Sequence, residues 1–179
     1  VYCVFEDSRG FLWFGTADGV ARFDGHEFRT FRPDPADPAS LANAGVLAIR
    51  EDARGDLWMA TEGGLDLWHR DTERFSHFRH DARDPGSLSD DTTQALEIDA
   101  DGALWVGTAG GVLNRFDPRT GKSERFRLPS SPAAAGKVTR IRALLQDRRG
   151  VYWIGTDGAA LASGTLGILP ALANRHGLI

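Results

Sequence analysis

One phrase occurs four times in this chain: EDSRGFLWFGT from Glu6, EDARGDLWMAT from Glu51, IDADGALWVGT from Ile98 and QDRRGVYWIGT from Gln146. Its tryptophans, Trp13, Trp58, Trp105 and Trp153, stand 45, 47 and 48 residues apart. Self-similarity at such a period marks a repeat architecture, because each repeat is one small unit that buries its apolar face only against its neighbours. The chain therefore reads as about four units of one array: residues 1–45, 46–92 and 93–140 as complete units with their connecting loops, and 141–179 as an incomplete or degenerate fourth.

Within a unit the hydrophobic period is two, which means strands. The first unit predicts strands over Val1–Glu6, Leu12–Thr16, Val20–Asp24 and Glu27–Arg32. The second predicts Val46–Glu51, Leu57–Thr61, Leu65–His69 and Arg74–Arg79, and the third Thr93–Ile98, Leu104–Thr108, Val112–Phe116 and Ser123–Leu128. No segment has a convincing 3.6-residue period, so no helix is expected. Short four-stranded antiparallel units with a periodic aromatic match the blades of a β-propeller, whose sheets stack radially and bury both faces. The repeated tryptophan is then expected between adjacent blades, beside the small residue two positions on, at Gly15, Ala60, Gly107 and Gly155.

The repeated polar residues find structural work in the turns. Asp-x-x-Gly recurs as Asp7 and Gly10, Asp52 and Gly55, Asp99 and Gly102, Asp147 and Gly150. An aspartate opening a turn accepts backbone N–H groups a few residues on, and glycine supplies the positive φ that ends it. Gly19, Gly64 and Gly111, each three residues after the repeated threonine, read as hairpin glycines. These aspartates, glycines and tryptophans are accordingly structural repeat residues. No residue is assigned to catalysis, to a cofactor or to a metal.

Composition narrows the partners. A net charge of −4 with mixed signs and no basic stripe argues against nucleic acid. The single cysteine, Cys3, has no internal partner for a disulfide. No apolar run reaches the ~18 residues of a membrane span. Residue 1 already lies inside a repeat, so the chain reads as an excerpt of a longer protein without its own signal peptide. His77, His80 and Asp81 could suggest a metal site on one loop, but two histidines three apart across a strand end, without a third ligand nearby in sequence, read as surface side chains. No G-x-S-x-G elbow, H-E-x-x-H pair or P-loop is present.

The phrase ED-x-x-G-x-LW-x-GT is followed by GVARFD at Gly19–Asp24, by Phe28 and Phe31, and by DPASL at Asp37–Leu41. The second unit repeats these as Gly64–Leu67 and DPGSL at Asp84–Leu88. Over residues 1 to 165 the pattern resembles the two-component regulator propeller repeat. The resemblance implies a fragment of a larger, seven-bladed propeller, placed in the periplasm as the sensory part of a histidine kinase or a diguanylate cyclase protein. Implied partners are an unidentified extracytoplasmic ligand, the rest of its own propeller and a second copy in a homodimer, with no cofactor. The chain departs from the pattern at Leu67–His69, at Asn114–Asp117 and after Thr156.

Residues found in every copy are explained by folding, so specificity is sought where copies differ. The longest connections are Pro33–Gly45, His80–Thr92 and Pro129–Arg140, the last being the least templated. Two other function classes stay open at this point. One is a propeller serving only as a protein-interaction scaffold; the other is a quinone-dependent or lactonase-type enzyme.

Overall fold

The computed structural model describes residues 1–127, 140–147 and 151–157. All regular structure among them is β. Strands β1 (Cys3–Glu6), β2 (Leu12–Thr16), β3 (Gly19–Phe23) and β4 (Phe28–Phe31) form the first blade. The second contains β5 (Val46–Glu51), β6 (Leu57–Thr61), β7 (Gly64–His69) and β8 (Arg74–Phe78). The third contains β9 (Thr93–Ile98), β10 (Leu104–Thr108), β11 (Val112–Asp117) and β12 (Lys122–Arg127). In each, the strands follow one another in chain order and pair antiparallel. β13 (Arg140–Gln146) and β14 (Tyr152–Asp157) begin a fourth sheet. Gly150, the loop at 129–139 and the remainder of the fourth unit from residue 158 lie outside the described residues.

The hydrophobic cores lie between blades. Trp13 and Val20 of blade 1 pack with Ile49, Met59, Trp68 and Phe75 of blade 2. Trp58 and Leu65 of blade 2 pack with Leu96, Leu104 and Phe116 of blade 3. Trp105 and Leu113 of blade 3 pack with Ile141, Tyr152 and Ile154 of the fourth sheet. Alternation along a strand puts successive side chains on opposite faces, so a blade covered on both sides has its middle strands buried throughout. β6 and β10 are buried at all five positions, whereas β2 alternates because one face of blade 1 is open. Val4 and Phe28 on that face are 59% and 63% exposed. The equivalent Ile49 and Phe75 of blade 2 are covered by blade 1.

The hairpins are tight for local reasons. Between β6 and β7 the threonine side chain closes the turn: Thr61 Oγ1 donates to the Gly64 carbonyl at 2.8 Å and accepts the Gly63 N–H at 3.1 Å. Gly64 has φ +122°, and a Cβ there would sit 2.5 Å from the Phe78 carbonyl oxygen. Both facts restrict the position to glycine. Thr16 and Gly19 make the same arrangement in blade 1.

The glycine two positions after the tryptophan lets the next sheet approach closely at Gly15 and Gly107. A Cβ at Gly107 would lie 2.4 Å from Ile141 Cγ2 on the inner strand of the next sheet. At Gly155, among the described residues, it would meet Ala143 of its own sheet, with Cβ nearest at 3.2 Å. Overpacking a well-filled joint costs about 1–3 kcal/mol. Gly107→Ala is therefore expected to lower the unfolding free energy by about that amount, and Gly155→Ala by less. Denaturant titration of both variants checks the order.

Candidate functional site

The repeated aspartate is bonded to the repeated tryptophan. Asp7 Oδ1 accepts the Arg9 and Phe11 N–H groups at 3.0 Å each, and its Oδ2 accepts the Trp13 indole N–H at 3.0 Å. Asp52 accepts from Arg54, Asp56 and, at 3.2 Å, the Trp58 indole. Asp99 does the same with Asp101, Ala103 and the Trp105 indole at 3.3 Å. Asp147 accepts from Val151 and, at 3.2 Å, from the Trp153 indole. One carboxylate thus orders the β-turn and fixes the rotamer of the ring six residues on. Gly10, Gly55 and Gly102 close these turns with φ of 82°, 85° and 80°.

The ring so held enters the joint with the next blade. Trp13 meets Trp68 edge-on with centroids 4.8 Å apart, Trp58 meets Phe116 at 5.7 Å and Trp105 meets Tyr152 at 5.1 Å. Such aromatic pairs contribute about 0.5–1.5 kcal/mol beyond their burial. Trp13, Trp58 and Trp105 are core rather than parts of a ligand cage.

Sequence reasoning missed the polar groups that distinguish one joint from another. Arg70, just after β7, donates from Nη2 to Asp7 Oδ2 at 3.1 Å and to Glu51 Oε1 at 3.0 Å. Its side chain is 8% exposed and that of Asp7 is fully buried. Burial pushes the Asp7 carboxyl up. The Trp13 indole, the Phe11 and Arg9 amides and the Arg70 charge outweigh this and hold it below the ordinary aspartate range. Glu73 receives Arg22 at 3.1 Å and also pairs with Arg29, both from blade 1. It does so from a left-handed backbone of φ 54°, where blade 3 has Gly121 at φ 68°. A non-glycine residue at a turn position held elsewhere by glycine was the available signal.

The two long loops within the described residues are seated on the following blade. In the first, Asp34 and Asp37 accept the Ala36 and Ala39 amides, Ser40 Oγ donates to the Asp34 carbonyl, and Leu41 is buried in the first joint. The Ala39 carbonyl then accepts the Phe75 N–H at 2.9 Å, and Asp37 pairs with Arg74 at 2.7 Å. In the second, Asp81, Asp84 and Ser87 repeat the arrangement and Leu88 enters the second joint. The Gly86 carbonyl accepts the Ser123 N–H at 2.6 Å. The D-P-x-S-L core is thus an inter-blade clasp.

His77 and His80 face different partners. His77 Nδ1 lies 2.8 Å from Asp66 and His80 Nδ1 2.7 Å from the Leu88 carbonyl. Among the described residues no group of three His, Cys, Asp or Glu is placed to hold a metal ion. No helix among them is long and apolar enough to cross a membrane.

Removing one partner of a buried ion pair costs about 3–5 kcal/mol, whereas an exposed pair contributes about 0–1 kcal/mol. Arg70→Met is expected to destabilise by the larger amount and Arg74→Met by the smaller, read by denaturant unfolding. The sign with pH follows from the lowered Asp7 value. Its contribution is complete above the ordinary aspartate value of about 3.9 and is lost as pH falls through the folded-state value. The gap between native protein and Arg70→Met should therefore narrow in acid.

Comparison with known proteins follows these blades. The profile of the two component regulator propeller family matches residues 1–18, 40–63, 87–110 and 136–158. A 37-residue stretch is 46% identical to Histidine kinase P4 of Formosa agariphila, covering 21% of this chain and 3% of that protein. Two solved extracellular domains from B. thetaiotaomicron, each described as part of a hybrid two component system, share the fold. One is 23% identical with a TM-score of 0.70, over 94% of this chain and 28% of that domain. The other is 25% identical with a TM-score of 0.67, over 95% and 25%. Virginiamycin B lyase from Staphylococcus aureus, 15% identical over 96% of this chain and 56% of its own with a TM-score of 0.63, shares the fold alone. The chain thus spans about a quarter of the two-component domains, as an all-β piece of a larger propeller. With one profile match on each of the four repeats, it belongs to the two-component regulator propeller family.

Proposed function

We propose that this segment is a non-catalytic part of the periplasmic sensor region of a bacterial signal-transduction protein. It binds a ligand or a second copy of itself and so biases a histidine kinase or diguanylate cyclase output. The observation that carries this reading is the family match on all four blades. The spent chemistry of the repeated acids agrees with it, since each repeated aspartate is saturated by turn amides and an indole. The likeness to a lyase is one of fold, and fold does not establish activity.

The joints suggest how occupancy is passed on. Blades tied by buried aromatics, by Arg70 and by the loop clasps move as rigid bodies. A ligand that favours one placement of the propellers shifts the equilibrium by no more than its differential affinity. The test begins with thermal-shift screening of the segment against mono- and oligosaccharides and short peptides. It continues with kinase or cyclase assays of the full-length protein. A compound that raises Tm is expected to change the output and the dimer crosslinking pattern. A compound that binds and leaves both unchanged contradicts the signalling role.

A further inference from the structure

Asp66 stands in the middle of β7, fully buried, where blade 1 has Ala21 and blade 3 has Asn114. Its strand-pairing partner on β8 is His77; the corresponding pair in blade 3 is Asn114 with Arg125. Both pairs hold the preceding long loop. Asp66 Oδ2 accepts the Ala42 N–H at 2.8 Å, and Asn114 Oδ1 accepts the Ser89 N–H at 2.9 Å. Arg125 Nη2 donates to the Ser87 and Leu88 carbonyls at 3.0 Å each. His77 takes the corresponding role on the first loop, with Nε2 3.1 Å from the Pro38 carbonyl.

The proton count separates the two clasps. A carbonyl oxygen only accepts, so the contact to Pro38 requires a proton on His77 Nε2. The 2.8 Å contact between His77 Nδ1 and Asp66 Oδ1 requires another between those atoms. A neutral imidazole beside an ionised carboxylate has one proton for these two contacts. One contact then sets lone pair against lone pair. In blade 3 the guanidinium and the amide supply all their donors at any ordinary pH.

We propose that the Asp66–His77 pair makes the clasp between the first long loop and blade 2 pH-sensitive, closed while the pair holds two protons and loosened when it holds one. The charged groups on the elements that meet at the pair are Arg79, just after β8, which acts on Asp66, the Arg74–Asp37 ion pair, and Asp34 within the loop. Glu62 lies beside Gly45 at the end of the loop. None of these supplies a proton to the Pro38 contact. Burial pushes the Asp66 carboxyl up, against the Ala42 amide, His77 and Arg79, which favours keeping a proton within the pair. The closed clasp therefore holds one proton more than the loosened one, in which the imidazole is neutral and the carboxylate ionised. Its stability declines as pH rises.

Hydrogen exchange of the intact chain tests this with an internal reference. Protection of the Ala42 amide, corrected for intrinsic exchange, is divided by that of the Ser89 amide from about pH 5 to 8, where imidazole changes charge. The ratio is expected to fall with rising pH, approaching about tenfold per unit, the limit for one linked proton. In the double variant Asp66→Asn, His77→Arg, which copies the Asn114–Arg125 pair, the ratio should be flat. A flat ratio in the unaltered chain, or a slope that survives in the double variant, overturns the proposal. Should the double variant not fold, the ratio in the unaltered chain decides by itself.

Discussion

A carboxylate that accepts from its own turn and from an indole six residues away is the constraint on which the rest of the structure depends. The turn alone would be a common device, and a tryptophan alone would be common core. Joined, they fix a large ring to one side of the sheet, at the position where the next blade presents its apolar face. Trp13, Trp58 and Trp105 each reach a ring of the following sheet in this way. The hydrophobic cores therefore form at the joints, and a blade acquires its stability from its neighbours, as in other repeat arrays.

Around this common element the joints differ. The first is tied by Arg70 to Asp7 and Glu51, by Glu73 to Arg22 and Arg29, and by Asp66 through His77 to the loop. The second uses Arg50 with Glu97, and Asn114 with Arg125 on the loop. The loop clasp of the first joint thus uses a titratable carboxylate–imidazole pair where that of the second uses an amide and a guanidinium. An array built from a single repeat acquires positions of unequal stiffness and unequal response to its surroundings by such substitutions.

The fold was legible because a four-copy phrase at a fixed period, with period-two alternation on either side, admits few architectures. The aspartates and tryptophans were visible as well, but their bond was not. It depends on a hairpin register that places residues i and i+6 together. Arg70 and Asp7 are 63 positions apart and meet only across a joint, beyond the reach of any local pattern. The long loops were sought as sites of variable recognition because of their length. Leu41 and Leu88, present in both copies, were the sign that these loops are partly core. Asp66 was readable only by comparing copies, as a carboxylate where another blade has alanine.

The central claim, that the aspartate holds the tryptophan and does not merely shape its turn, is tested most directly by a double-mutant cycle on Asp52 and Trp58. Asp52→Asn keeps an oxygen for the turn amides but sets an N–H against the indole; Trp58→Phe keeps an aromatic ring and removes the indole donor. Groups in direct contact couple by about 0.5–3 kcal/mol, and independent ones add within about 0.3–0.5 kcal/mol. The clamp predicts a coupling in the first range, with Asp52→Asn costing markedly less when residue 58 is phenylalanine. Additive losses would contradict it and leave the two residues as separate features of turn and core.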